Sequence, residues 1–222
     1  MSYCIDAKKI CLDELRERIM ATDLVPSRAG LLDDIEEKFR LIKLQGIQTF
    51  AELRQALKST TSQEALAKST NLDSQYLVLL RREIESYIIK PVLLKDFTEL
   101  STDALSRLDE LHIRNTAVLY EYTCDHAKLL TLAEQSGIDP AILVTLARLV
   151  NLTRVQWVNL TVARMLLACG IENPNSLAAV DSQHLYESFD QINAQAQYFK
   201  GKIGLRDVKR LIQAARYVDD NG

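Results

Sequence analysis

Residues 47–84 return at 113–150 in a register of 66 residues without a gap, and this repeat constrains the fold more than any other feature. Ile47 falls on Ile113, Leu53 on Leu119, and Leu66 and Ala67 on Leu132 and Ala133. Leu72 falls on Ile138, Leu77 on Leu143 and Leu80 on Leu146. Apolar positions alone match easily between two helical stretches. Asp73 on Asp139 and Arg82 on Arg148 are harder matches, because a helix-capping side chain and a cation do not belong to a hydrophobic pattern. A third, partial copy starts at Gly170-Ile171, where ENPNSLA follows as RNTAVLY follows Ile113. Units of this size bury their apolar faces against one another, so the expectation is a continuous array in which 47–84 and 113–150 share one topology. Leu53, Leu66, Leu77 and Leu80, with Leu119, Leu132, Leu143 and Leu146, are its expected core.

Within each copy the apolar spacing is helical. From Ser27 to Leu44 the residues Leu31, Ile35, Phe39 and Ile42 recur at intervals of four and three, which places them on one helix face. Thr49-Phe-Ala-Glu52 reads as a capping box and Asp73 opens YLVLLRREIESY. Asp139-Pro140 and Asn173-Pro174 each put a cap before a first-turn proline, while Gly137 and Gly170 stand where helices stop. Alternating runs of strand length are missing. Seven Gly and four Pro in 222 residues argue further against a turn-rich β fold and against long linkers. The expected class is all-α, with about ten to thirteen helices of ordinary length. The expected division is 1–98, an N-terminal segment plus the first unit, and 99–222, the second unit and the partial third with its terminal hairpin and helix.

No stretch approaches the about 18 apolar residues of a membrane span. The opening MSYCIDAKKICLDEL carries no apolar signal core, and the four cysteines are scattered with no CxxC pair. A cytoplasmic protein with reduced, mostly buried thiols and no membrane contact is expected.

Two stretches have the outline of phosphate-binding hairpins. VQWVNLTVARMLLACGI, residues 155–171, has the form of a helix-hairpin-helix clamp, with Trp157 and Asn159 where such a clamp carries glycines. Thr161 is expected to cap its helix, whose first-turn amides are the anion donors of such a site. A large indole blocks close approach of a backbone to phosphate, so Trp157 is expected to pack rather than to stack on a base, and this hairpin to be structural. FKGKIGLRDVKR, residues 199–210, is the stronger candidate. Gly201 and Gly204 flank Lys202, Lys200 precedes them, and Arg206, Lys209 and Arg210 follow on a helix. Six basic residues and one acidic residue lie between 199 and 216, against a net charge of −3 for the chain. Backbone amides and clustered cations bind phosphate without reading bases.

The remaining charged residues read as structural. Arg81 and Arg82, with Arg148 and Arg154, form a smaller basic strip whose charge neighbouring carboxylates such as Glu83 and Glu85 are expected to neutralise. Asp33, Asp34, Glu36 and Glu37 spread over a polar helix face and are expected to be solvated. His112, His126 and His184 lack metal-ligand spacing, and no P-loop, GxGxxG turn or HExxH is present. No catalytic residue, metal ligand or cofactor is assigned.

LVPSRAGLLDDIEEKF, GIQTFAELRQAL, YLVLLRREIESY, NLTRVQWVNLTVARML and YFKGKIGLRDVKRLI together resemble an uncharacterised bacterial family, a domain of unknown function described as tandem helix-hairpin-helix-like. The resemblance spans roughly residues 1–218. It implies tandem helix-hairpin-helix-like repeats packed as a compact helical array. Relatives labelled flap-endonuclease-like nucleases or DNA-binding proteins link the family to nucleic acid, although those labels rest on fold. A flap-type nuclease needs carboxylates gathered around divalent metal, and no motif here assembles them. The expected function is therefore non-catalytic, sequence-independent binding of the DNA or RNA phosphate backbone. A protein–protein interaction scaffold is the alternative, and a nuclease-related enzyme comes third.

Overall fold

Short polar side chains start nearly every helix in the computed structural model, which describes residues 2–218. Thr49, Asp73, Asn115 and Asp139 each accept a backbone N–H of the first helical turn, which would otherwise lack a partner. Among the described residues these starts yield thirteen α-helices, two 3-10 turns and no strand, so the chain is all-α. No helix among them is long and apolar enough to cross a membrane.

The chain divides into two compact units. One, Asp6–Ile88, contains α1 (Leu12–Ala21), α2 (Ile35–Lys43), α3 (Phe50–Ala56), α4 (Thr60–Thr70) and α5 (Ser74–Glu85). Its core holds Leu15, Ile19, Phe39, Ile42, Phe50, Leu53 and Leu80. Arg28 Nη1 donates to Glu83 Oε2 at 2.6 Å, and the Glu83 side chain is only 1% exposed. Leu31, Ile35, Phe39 and Ile42 are all buried, as their spacing predicts. They do not share one helix, however. Pro26 opens a 3-10 turn that ends at Leu31, and Asp34 at φ 48° takes a left-handed conformation before α2 begins.

The other unit joins Met1–Ile5 to Ile89–Gly222. It carries α6 (Thr102–Glu110), α7 (Thr116–Thr123), α8 (His126–Ser136), α9 (Pro140–Leu152) and α10 (Leu160–Ala168). After these come α11 (Pro174–Ala179), α12 (Ser182–Ala196) and α13 (Leu205–Ala215). The N-terminal residues are stitched in by polar contacts. Tyr3 Oη lies 3.1 Å from Thr153 Oγ1, and Arg154 Nε donates to the Tyr3 carbonyl at 3.3 Å.

The repeat in the sequence is also a repeat of elements. Shifted by 66 residues, α4 falls on α8 at both ends. The caps Thr49, Ser59 and Asp73 fall on Asn115, Asp125 and Asp139. The left-handed residues Gly46 and Asn71 fall on His112 and Gly137. All eight leucines expected in the core are buried. In the partial third copy Gly170 and Asn173 repeat the roles of His112 and Asn115.

Three further sequence expectations are corrected. Asn159, not Thr161, caps α10: its Oδ1 accepts the Val162 N–H at 2.9 Å. Glu83 and Glu85 do not serve Arg82, because Arg28 and Arg54 hold them, the latter through two bonds of 2.8 and 2.9 Å. The thiols are unpaired but not mostly buried: Cys4, Cys124 and Cys169 are half-buried and Cys11 is exposed.

Candidate nucleic-acid interface

Trp157 lies between two buried valines, Val155 and Val158. Its φ of 68° lies in the left-handed region, the conformation glycine adopts most readily. The same pattern recurs across this unit. His112, Gly137 and Gly170 are also left-handed, and each is followed by a buried aliphatic residue, Ile113, Ile138 or Ile171. The left-handed residue turns the chain, the aliphatic side chain anchors the turn in the core, and a cap then starts the next helix. Trp157 holds a glycine's backbone conformation while carrying the largest side chain. The Arg210 guanidinium sits 4.1 Å from the indole centroid. That cation–π contact contributes about 1–2 kcal/mol, the same order as the strain of a left-handed residue.

The contact joins the two candidate stretches. Arg210 is half-buried on Trp157, and its Nε is buried without a hydrogen-bond partner. It belongs to the packing of α13, whose Val208, Leu211, Ile212 and Ala215 form the buried side. Lys200, Gly201, Lys202, Arg206 and Lys209 are exposed, and Gly204 is half-buried. The Gly204 N–H donates to Asp207 Oδ2 at 3.2 Å, so the carboxylate already occupies the amide expected to meet a phosphate. Asn159 is exposed as a helix cap, and Thr161 is half-buried on the first turn of α10.

The loop before α13 has two aromatic residues that composition and charge do not single out. Tyr198 and Phe199 are 37% and 45% exposed. Asn193 on α12 grips the Phe199 backbone at both polar groups. Its Nδ2 donates to the Phe199 carbonyl and its Oδ1 accepts the Phe199 N–H, both at 2.9 Å. The Phe199 ring occupies the space beside Gly201, where a Cβ would come within 2.7 Å of Cε1 and Cζ. The signal in the sequence is the placement of YF directly before KGK, an aromatic pair against a cationic loop.

A family model described as domain of unknown function DUF4332 matches residues 98–218. The chain belongs to that family. No curated protein and no solved structure matches it. The DUF4332 stretch includes α6 to α13, and with them the Trp157 hairpin and the cationic loop. Another of its cations is paired: Arg164 on α10 donates to both oxygens of Glu99 at 2.6 and 2.8 Å, which holds the Glu99 carboxyl below its usual range. Arg148 pairs with Glu172 at 3.0 Å, and Arg154 lies over the Tyr120 ring. Burial pushes the Cys169 thiol up to about 11, where it stays protonated at neutral pH and is a poor nucleophile. Among the described residues no three His, Cys, Asp or Glu side chains gather to hold a metal ion.

Proposed function

We propose that this DUF4332 protein is a non-catalytic nucleic-acid-binding module of tandem helix-hairpin-helix-like repeats, which holds the DNA or RNA phosphate backbone without reading sequence. One observation carries the reading: Lys200, Lys202, Arg206 and Lys209 are all exposed on a single loop and helix start. The protein as a whole has a net charge of −3, so this concentration is local. Lysine and arginine contacts to phosphate release counterions, and binding of this kind weakens steeply with salt. Gly204 adds an amide only if phosphate displaces the Asp207 carboxylate. Arg210, engaged by Trp157, acts as the brace that fixes α13. A cytoplasmic location goes with this reading and is supported by the four unpaired cysteines. The test is a salt titration of affinity for labelled DNA and RNA. Binding that falls with salt and weakens in Lys202→Glu with Arg206→Glu supports the reading. No binding at about 50 mM salt overturns it.

A second reading, a protein-interaction scaffold, draws on the Asp6–Ile88 unit. An open groove of about 990 Å³ is lined there by Met20, Leu32 and Leu44, all exposed apolar residues, with Arg16 and Glu36 also along it. Exposed apolar surface rimmed by charge marks association sites. Self-association seen by sedimentation in the wild type and lost in Leu44→Asp supports this reading. A wild type that stays monomeric over the same concentrations counts against it.

A further inference from the structure

We propose that the polynucleotide held by the cationic loop is single-stranded, with an unpaired base stacked on Phe199 and neighbouring phosphates held by Lys200 and Lys202. The inference rests on the nucleic-acid reading above and names its substrate class.

Phe199 carries the argument. A phenylalanine 45% exposed forgoes much of the burial that makes its ring stabilising, yet it is not left loose. Both polar groups of its backbone are bonded to the one Asn193 side chain. Its ring has a seat beside Gly201 that any other residue type at 201 would fill. An aromatic ring carried on a held backbone, lying beside a glycine and left open to solvent, is a stacking platform. The adjacent groups settle what kind of platform. Exposed Lys200 and Lys202 flank Gly201, and exposed Arg206 follows, so the ligand that complements this surface is a polyanion carrying flat apolar rings. Single-stranded nucleic acid has that chemistry, because each base offers a π-face beside a phosphate. In a duplex the bases are already stacked on one another, so the ring gains nothing there. Stacking needs no particular base and no 2′-hydroxyl, so single-stranded DNA and RNA are held alike.

Fluorescence anisotropy with labelled oligo(dT), oligo(U) and a DNA duplex of equal length, at one salt concentration, tests this. The wild type binds both single strands about tenfold tighter than the duplex. Phe199→Ala brings the single strands down to the duplex level and leaves duplex affinity unchanged, while Phe199→Tyr keeps the preference. Gly201→Ala retains every charge and the ring itself but displaces the ring from its seat, and it reproduces Phe199→Ala. Circular dichroism confirms equal helix content in each variant. Equal wild-type affinity for strands and duplex, or a preference that survives Phe199→Ala, overturns the single-strand inference and leaves phosphate binding standing. No binding to any of the three probes overturns the nucleic-acid reading itself.

Discussion

His112 and Gly46 occupy the same position in the two copies, and both adopt a left-handed backbone, at φ 60° and 82°. Glycine enters this region freely, whereas a residue with a Cβ is strained there by about 1–2 kcal/mol. His112 is exposed, so burial of its side chain offsets little of that cost. His112→Gly is therefore expected to raise stability by about 0.5–1 kcal/mol, after allowing for glycine's greater freedom in the unfolded chain, and Gly46→Ala to lower it by a similar amount. Urea melts of both variants check the pair, and a stabilising Gly46→Ala contradicts it. Trp157 is the opposite case, because its side chain does make a contact. Trp157→Phe keeps a ring but weakens the hold on Arg210, so it costs about 1 kcal/mol of stability while leaving duplex affinity unchanged. The sequence signals that this hairpin has lost its glycines; it does not signal that the backbone keeps the glycine conformation. Nor does it reveal that Asn159 is the cap instead of Thr161, since capping depends on which residue is extended at the bend.

At the scale of helices, local chemistry was legible wherever both partners of an interaction lie within a few residues. Thr49 and Glu52, Asp139 and Pro140, and Asn173 and Pro174 all start helices as their spacing predicts. The same holds for the leucine faces. Leu77→Ala on α5 and Leu143→Ala on α9 each empty a fully buried site, and each should cost about 2–5 kcal/mol in denaturant melts. Values below about 1 kcal/mol for both would remove them from the core. Partners distant in sequence were not legible. Arg28 meets Glu83 across 55 residues and Arg164 meets Glu99 across 65, while local spacing offers Glu83 and Glu85 to Arg82 instead. The Arg164–Glu99 bond has a pH signature. Arg164 lowers the folded Glu99 value from the usual 4.5, so the charged carboxylate is favoured on folding. Its contribution is present above about pH 4.5 and is lost as pH falls through the folded value. Glu99→Gln should thus be about 1–2 kcal/mol less stable than wild type at pH 7, and the gap should narrow as pH falls below about 4.5. Denaturant melts over a pH series measure it, and a gap that does not change with pH assigns the effect to packing.

Over the whole molecule the decisive quantity is where charge lies, because the net value of −3 argues against binding a polyanion while residues 199–216 argue for it. Sequence shows the cluster but not how its members are engaged within the fold: Arg210 packs on Trp157, and the Gly204 amide donates to Asp207. Tyr198 and Phe199 become visible as surface residues only once Asn193 is seen to fix the loop. Global and local charge make different predictions, and two double variants separate them. Lys202→Glu with Arg206→Glu reverses two cations of the cluster. Lys8→Glu with Lys9→Glu reverses two exposed cations in the Asp6–Ile88 unit and leaves the protein with the same net charge. If binding follows net charge, both lose affinity equally. If it runs through the cluster, the first variant alone loses affinity, and its slope of log affinity against log salt flattens by roughly one unit for each phosphate contact removed. The second then keeps the wild-type slope, with at most a small uniform loss from long-range repulsion that salt screens. A salt titration of the three proteins on one duplex reads both quantities, and equal slopes in the two variants would move the interface away from α13.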